Sequence, residues 1–232
     1  MAKIIINKLQ IKNNDKELVN LSFEINKSMA LIGESGSGKS LTLKAILNLL
    51  PSNLESIINI EPLSELDKKN IGFIPQNPFT SLSPMTKISK QFFCEDSKKQ
   101  EVLKLVGLNE FVLNRFPAQL SGGQLQRVVI AIAISKNPKL LLLDEPTTAL
   151  DTKNKEIILE LLESLIKELS LKILYVTHDI YSIKNLCEDI IILKNGKIIE
   201  SGKTKDVLSN PKDEYTIELI NSNFTNKKFR EA

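Results

Sequence analysis

Eight residues near the start of the chain form a glycine-rich loop, Gly33-Glu34-Ser35-Gly36-Ser37-Gly38-Lys39-Ser40. The apolar run Met29 to Ile32 before the loop predicts a buried strand, and Leu41 to Leu50 after it predicts a helix. Glycines let successive backbone N–H groups turn inward around a phosphate, and a helix N-terminus adds favourable partial charge. Lys39 would bring an ammonium charge to the phosphate oxygens, and the Ser40 hydroxyl could ligate Mg²⁺. The pattern therefore predicts a site for the phosphates of a nucleotide.

The sequence around this loop predicts an α/β fold. Short, continuously apolar runs recur between amphipathic stretches, which is typical of buried parallel strands alternating with helices. The clearest helix is predicted over Lys153 to Leu169, where one apolar stripe would pack on a sheet. The predicted strands are Met29 to Ile32, Ile71 to Ile74, Leu140 to Leu143, Ile173 to Val176 and Ile190 to Leu193.

Two further features predict a smaller antiparallel part. Leu21, Phe23 and Ile25 alternate with polar residues, as in a strand with one exposed face. Asn195-Gly196 lies between two isoleucine-rich runs, and this dipeptide favours a tight hairpin turn. We therefore expect a small antiparallel β piece beside the mostly parallel sheet.

The strand pattern stops over residues 77–137. Apolar residues from Val102 to Leu108 suggest a helical segment there instead. No repeat, low-complexity tract or flexible linker separates this region from the rest of the chain. We expect one domain over residues 1–232, with residues 77–137 as an inserted helical lobe and residues 1–76 and 138–232 as the core.

Composition and charge exclude several classes of protein. Of the 232 residues, 42% are hydrophobic and 25% are charged, which matches a globular protein and not a collagen-like, disordered or disulfide-stapled one. The 31 basic and 28 acidic residues give a net charge of +3, too small to argue for a nucleic-acid partner. Cys94 and Cys187 fit no metal-binding or disulfide pattern and suggest reduced thiols in a cytosol. The longest apolar run, Val128 to Ile134, is far shorter than the about 18 residues of a membrane helix, and we expect no signal peptide.

A second motif, Leu140-Leu141-Leu142-Leu143-Asp144-Glu145, would deliver two carboxylates at the end of a buried strand. Open α/β sheets place ligands at the carboxyl ends of their strands. We expect Asp144 to be the acid on the metal side. Glu145 would be the general base, or would position the water that attacks a γ-phosphate.

A third motif, Leu120-Ser121-Gly122-Gly123-Gln124-Leu125-Gln126-Arg127, precedes an apolar helical segment. Ser121 has the character of an N-cap, and the glycines would expose further N–H groups at a helix start. A capped helix without further function would explain this pattern. However, one nucleotide does not need two phosphate-cradling helix ends from one chain. The alternative is that this second cradle serves the nucleotide of another subunit.

With these three motifs in this order, the chain resembles the ATP-binding subunit of an ABC transporter. Gly33 to Ser40 correspond to Walker A, Leu120 to Gln124 to the signature motif, and Leu140 to Glu145 to Walker B. The resemblance covers Lys3 to Leu219 and implies a P-loop NTPase core that uses ATP and Mg²⁺.

The resemblance also implies roles for residues outside these three motifs. Gln76 corresponds to the Q-loop, which senses Mg²⁺ and the membrane partner, and Asp151 to the D-loop at the dimer interface. His178, the only histidine, resembles the switch histidine that contacts the γ-phosphate. The implied catalytic residues are Glu145, His178, Gln76 and Lys39; the nucleotide-binding residues are Gly33, Glu34, Ser35, Gly36, Ser37, Gly38, Lys39, Ser40, Leu41, Ser121, Gly122, Gly123, Gln124 and Asp151; the Mg²⁺ ligands are Ser40, Gln76 and Asp144.

Two segments resemble one branch of the family. Gln76 to Pro84 and Asn210 to Thr216 are similar to motifs of dipeptide, oligopeptide and nickel importers. The longer cysteine-containing tail of many of those relatives is absent. The family usually stacks adenine on an aromatic residue near the first strands, but Leu9 to Asn14 contains none. Phe23 or another aromatic residue would have to replace it.

The resemblance implies a peripheral subunit on the cytoplasmic face of the membrane. It would hydrolyse ATP to power uptake of peptide or nickel through separate permease subunits, served by an extracytoplasmic binding protein. A second ATP-binding subunit, identical or paralogous, would complete the nucleotide sites. The alternatives are a soluble ABC ATPase acting on ribosomes or DNA and a regulatory nucleotide-binding module without turnover. The presence of both Glu145 and His178 argues against the second alternative.

Overall fold

The structure is a computed structural model that describes residues 3–62 and 70–228. The strands are β1 (Ile4–Asn13), β2 (Lys16–Ile25), β3 (Ser28–Ile32), β4 (Glu55–Glu61), β5 (Ile71–Ile74), β6 (Leu140–Asp144), β7 (Lys172–Thr177), β8 (Asp189–Lys194) and β9 (Lys197–Lys203). The helices are α1 (Lys39–Ile46), α2 (Pro78–Ser81), α3 (Asp96–Leu105), α4 (Gly122–Ile134), α5 (Thr152–Glu168), α6 (Ile180–Ile183), α7 (Thr204–Ser209) and α8 (Glu214–Lys228). Short 3-10 turns lie at Ile88–Gln91, Glu110–Asn114 and Pro117–Gln119.

The chain divides into two compact units. The first unit comprises residues 1–65 and 173–232, and the second comprises residues 66–172. The predicted helical lobe, residues 77–137, lies within the second unit, together with β5, β6 and α5. Among the residues described, no helix is both long and apolar enough to cross a membrane.

The first unit contains the predicted antiparallel piece. β1 lies between β2 and β4 and pairs antiparallel with both. On β2, Leu21, Phe23 and Ile25 are buried while their neighbours along the strand are exposed. The alternating pattern therefore correctly predicted a strand with one exposed face.

The first unit also contains parallel strands around β3. All five residues of β3 are buried, and the strand pairs in parallel with β7 on one side and β8 on the other. β8 then turns into β9, its antiparallel partner, through Asn195 and Gly196, whose φ angles are 50° and 74°. Positive φ at both residues is what a type I′ hairpin requires. The predicted α/β class and the hairpin are confirmed.

The second unit pairs β5 with β6 in parallel and packs helices around α4. α4 contacts α2, α3 and β5, and most of its residues are buried. α5 buries a stripe formed by Ile158, Leu162 and Leu165 and ends within one residue of the predicted helix.

Two predicted helices end earlier than expected, each for the same physical reason. The helix after the glycine-rich loop ends at Ile46 and not at Leu50, because Asn48 adopts a left-handed conformation with φ 55°. The N–H groups of Asn48 and Leu49 then bond back to Ala45 and Lys44, which closes a Schellman motif. The helical segment predicted over Val102 to Leu108 likewise stops at Leu105, because the chain turns at Gly107, with φ 65°.

Candidate active site

The glycine-rich loop connects β3 to α1 in the first unit, and close packing fixes its backbone. A Cβ at Gly33 would collide with the carbonyl oxygen of Leu193 on β8, so only glycine allows this approach. Gly38, directly before α1, has φ 108°, a conformation that other residues rarely adopt. The loop thus leads into a helix N-terminus, as phosphate binding requires.

Lys39 folds back over the loop that precedes it. Its side chain is only 7% exposed, and Nζ donates to the carbonyl oxygens of Gly33 at 2.7 Å and Glu34 at 2.9 Å. Ser40 is exposed and Leu41 is half-buried. An ammonium group, a helix start and an exposed hydroxyl therefore lie together in this part of the first unit.

Two contacts from distant parts of the same unit support the loop. The Gly196 N–H donates to the Ser37 carbonyl at 2.9 Å. The Glu34 N–H donates to Oη of Tyr215 at 3.1 Å. Both contacts hold main-chain groups of the loop and leave its side chains untouched.

The second unit brings Gln76 and Glu145 into direct contact. Glu145 follows β6 with φ 46°, and its Oε2 accepts hydrogen bonds from Gln76 Nε2 at 3.2 Å and Thr148 Oγ1 at 3.1 Å. Asp144 ends β6 and is half-buried. The strand thus presents two adjacent carboxylates, one of them oriented by the Q-loop glutamine.

The signature motif begins α4 with a capping box. The Gln124 N–H donates to Ser121 Oγ at 3.3 Å, and the Ser121 N–H donates to Gln124 Oε1 at 3.0 Å. A Cβ at Gly123 would lie 2.5 Å from Oδ1 of Asn154, whereas one at Gly122 would meet only Leu150, at 3.8 Å. Gly123 therefore allows α4 to pack closely against the start of α5.

Asp151 caps α5 through Asn154. The Asn154 N–H donates to Oδ1 of Asp151 at 3.0 Å, and its side-chain amide donates to Oδ2 at 2.6 Å. Hydrogen bonding from the Asn154 backbone, followed by that from its side chain, holds the pKa of Asp151 below its usual value. The signature glycine and the D-loop aspartate thus share one neighbour, Asn154.

His178 directly follows β7 in the first unit and is exposed. The turn that carries it is held by Asp179, whose N–H donates to Thr177 Oγ1 at 3.0 Å. Asp179 Oδ1 also accepts the N–H of Tyr181 at 3.0 Å, which starts α6.

The predicted site residues divide between the two units. The first unit holds Gly33 to Leu41 and His178. The second holds Gln76, Ser121 to Gln124, Asp144, Glu145 and Asp151. Within the second unit, Gln76 contacts Glu145, and the signature motif meets the D-loop through Asn154.

The donors assigned to Mg²⁺ fit a hard cation. Ser40, Gln76 and Asp144 offer a hydroxyl, an amide oxygen and a carboxylate, and Mg²⁺ prefers oxygen ligands shared with substrate phosphates. Gln76 directs its amide nitrogen to Glu145, so its oxygen is the end that suits a cation. Within residues 3–62 and 70–228, no group of three or more His, Cys, Asp and Glu side chains could hold a metal ion.

Phe23 does not offer an exposed ring for a base. Its side chain is 8% exposed, and it lies opposite Ile6 in the antiparallel sheet. Phe23 therefore belongs to the core of its own sheet.

Several residues that hold the site do not stand out in the sequence. Thr148 and Asn154 lie three residues after Glu145 and Asp151, a spacing typical of capping turns that could have indicated them. The contact of Tyr215 with the loop spans 181 residues, and no local pattern indicates it.

Comparison with known proteins identifies the family. Residues 17–148 match the family described as ABC transporter. The oligopeptide transport ATP-binding protein OppD of Bacillus subtilis is 38% identical over 88% of this chain, which spans 65% of that protein. The methionine import ATP-binding protein MetN 1 of Oenococcus oeni is 41% identical over 94% of this chain, which spans 68% of that protein. The chain belongs to the ABC transporter family, and its resemblance to ATP-binding subunits of the peptide-importer branch is confirmed.

A solved structure agrees with this assignment. The cbiO1 protein of Clostridium perfringens, part of the ABC transporter complex cbiONQ, superposes with a TM-score of 0.75 at 25% identity. The match covers 99% of this chain and 98% of that one. The predicted fold class is therefore confirmed.

Proposed function

We propose that the chain binds and hydrolyses ATP to power an ABC importer whose membrane-spanning subunits are separate proteins. The observation that carries the proposal is the hydrogen bond from Gln76 to Glu145, since it orients a carboxylate directly after a buried strand in a chain that also contains a phosphate loop. The names of its relatives support import as the process that the ATPase drives.

Each unit contributes a defined part of the chemistry. The loop N–H groups and Lys39 would neutralise the β- and γ-phosphate oxygens, and His178 would donate to the γ-phosphate. Glu145 would accept a proton from water as the water oxygen bonds to the γ-phosphorus and the bond to the β–γ bridging oxygen breaks, giving ADP and inorganic phosphate. Ser40, Gln76 and Asp144 would hold Mg²⁺, which when bound offsets phosphate charge.

Two such subunits would act together, head to tail. Ser121, Gly122 and Gly123 of one chain would then face the nucleotide held by Lys39 of the other. The second subunit would be an identical or a paralogous chain, and the pair would sit on permease subunits at the cytoplasmic face of the membrane. An extracytoplasmic binding protein would deliver the cargo.

The proposed cargo is a peptide or a related amino-acid compound. The named relatives include an oligopeptide transport protein and a methionine import protein, which favours this class over nickel, the other cargo of the branch that the sequence resembles.

Glu145→Gln tests the proposal because the amide keeps the shape of the carboxylate but cannot accept the proton. We expect phosphate release to fall at least about a hundredfold while ATP still binds. Cells that carry the variant should lose uptake of labelled peptide or methionine. Glu163→Gln, the same change at a half-buried position of α5 where Glu163 pairs with Lys167, is the control. Wild-type turnover by the Glu145 variant would contradict the role of the base, and uptake that does not depend on the chain would contradict import.

A further inference from the structure

The peptide group between Gly33 and Glu34 is held on both of its sides. Its N–H, that of Glu34, donates to Tyr215 Oη at 3.1 Å. Its carbonyl oxygen, that of Gly33, accepts from Lys39 Nζ at 2.7 Å. In the next peptide unit, the Glu34 carbonyl oxygen accepts from Lys39 Nζ at 2.9 Å and from the Ser37 N–H at 3.1 Å. The Gly33–Glu34 peptide unit thus connects the Tyr215 hydroxyl to the ammonium group that would meet phosphate.

Tyr215 is itself rigidly placed. It is 6% exposed, and Lys194 Nζ lies 4.3 Å from the centre of its ring. Its N–H donates to Asp213 Oδ1 at 2.9 Å, and the Asp213 N–H donates to the carboxylate of Glu200 on β9. Burial raises the pKa of Tyr215, so the hydroxyl stays protonated and uncharged at neutral pH. The ring and hydroxyl are therefore set before any nucleotide arrives.

We propose that Tyr215 is a positioning residue for the phosphate loop, which sets the affinity for nucleoside phosphates by holding the Gly33–Glu34 peptide group. The proposal rests on the proposed binding of ATP. Hydrogen bonds in a chain reinforce one another, so the loss of the Tyr215 acceptor loosens the carbonyl that Lys39 contacts. Glu145 and the attacking water are not part of this chain of contacts. The effect therefore falls on binding and not on the hydrolytic step.

Tyr215→Phe isolates the hydroxyl because it keeps the ring and its contact with Lys194. We expect the dissociation constants of Mg·ATP and Mg·ADP to rise by the same factor, about three- to tenfold, because both ligands carry a β-phosphate. KM should rise by that factor while kcat stays within about twofold. The amide resonance of Glu34 should shift in a nitrogen–proton spectrum of the nucleotide-free protein. A purely structural role of Tyr215 would lower the melting temperature without raising KM at unchanged kcat.

Ser222→Ala is the matched control. It removes a hydroxyl from the same helix, where Ser222 Oγ donates to the Leu219 carbonyl at 3.0 Å, away from the loop. Nucleotide affinity should be unchanged in this variant. A fluorinated tyrosine at position 215 gives a second test that preserves the fold, since fluorine weakens the hydroxyl oxygen as an acceptor. The fluorotyrosine protein should also bind Mg·ATP and Mg·ADP more weakly than wild type.

The outcomes separate this proposal from the proposed function. If wild-type protein binds ATP but both changes at Tyr215 leave the dissociation constants unchanged, the positioning role is overturned. A lower kcat with unchanged affinity overturns it too. If the wild-type protein does not bind ATP at all, the proposed function itself fails.

Discussion

Glu145 combines an uncommon backbone conformation with a doubly held side chain. Its φ of 46° lies in the left-handed region, which costs a residue other than glycine of order 1 kcal/mol. Gln76 and Thr148 both donate to the same oxygen, Oε2. The surrounding structure therefore fixes both the direction in which Glu145 leaves the strand and the orientation of its carboxylate.

Replacing Thr148 with valine tests this orientation. The change keeps the branched shape but removes the Thr148 hydroxyl, which donates to Glu145. We expect kcat to fall about three- to tenfold because a less constrained carboxylate spends less time in the reactive geometry. ATP affinity should be preserved, since Lys39 and the loop are unaltered. Thr152→Val, at an exposed position at the start of α5, is the control. An unaltered kcat in the Thr148→Val variant would contradict the orienting role of Thr148.

At the scale of elements, the sequence predicted the buried strands and α5 to within one residue but placed the ends of two other helices too late. Buried strands such as β3 and β6 are continuously apolar, so their hydrophobicity alone identifies them. Helix ends depend on single left-handed residues, and nothing in the apolar pattern distinguishes Asn48 from a helical residue. The motif residues were predictable because each lies in a short local pattern. The contact of Tyr215 with the loop was not predictable, because its partner is distant in sequence.

The packing of α4 against α5 predicts that alanine substitutions at two adjacent glycines change the stability of the protein differently. A Cβ at Gly123 meets Asn154, so Gly123→Ala should destabilise the second unit by about 1–3 kcal/mol. Gly122→Ala meets only ordinary contacts and should be neutral or slightly stabilising, because alanine favours helix. Urea unfolding measures both changes. Adding Asn154→Ala should rescue much of the loss in Gly123→Ala, and equal effects of the two glycine changes would contradict the packing.

The hydrogen bonds of Glu200 predict that acid destabilises the junction between β9 and α8. Burial alone would raise its pKa, but hydrogen bonds outweigh burial and hold the pKa below the usual 4.5. Among them are those from the backbone N–H groups of Lys212 and Asp213. A lowered pKa in the folded state stabilises the protein above about pH 4.5, and this contribution is lost as the pH falls through the folded-state value.

Glu200→Gln should therefore be less stable than wild type at pH 7, and the difference should shrink as the pH approaches 4. Unfolding in urea at a series of pH values measures this trend. Glu214→Gln, at the first residue of α8, is the control for loss of a nearby charge. A stability difference that stays constant over the same pH range would show that the ionised carboxylate is not the stabilising form.

At the scale of the whole molecule, the proposed chemistry draws on both units. The phosphate loop and His178 lie in the first unit, and the acidic and signature residues lie in the second. Neither unit contains a full set of hydrolytic residues. The activity is therefore expected to depend on the complete chain.

The proposed head-to-tail arrangement predicts complementation between two inactive chains. In a dimer that mixes Lys39→Ala with Ser121→Arg, one composite site carries both substitutions and the other carries neither. We expect this mixed dimer to trap about one nucleotide, whereas either variant alone traps almost none. If the natural partner is a paralogue, one change is made in this chain and the other at the corresponding position of the paralogue. A verified mixed dimer without trapping would contradict the arrangement.

The first unit is built from two segments that are far apart in the sequence, and this has a consequence for synthesis on the ribosome. β3 is made early, but its partners β7 and β8 emerge more than a hundred residues later. Gly196 and Tyr215, which hold the phosphate loop, emerge later still. A nascent chain therefore carries an unsupported loop until these later residues have been made. The edges of β3 stay unpaired over the same interval, which is the kind of exposed strand that favours aggregation during synthesis.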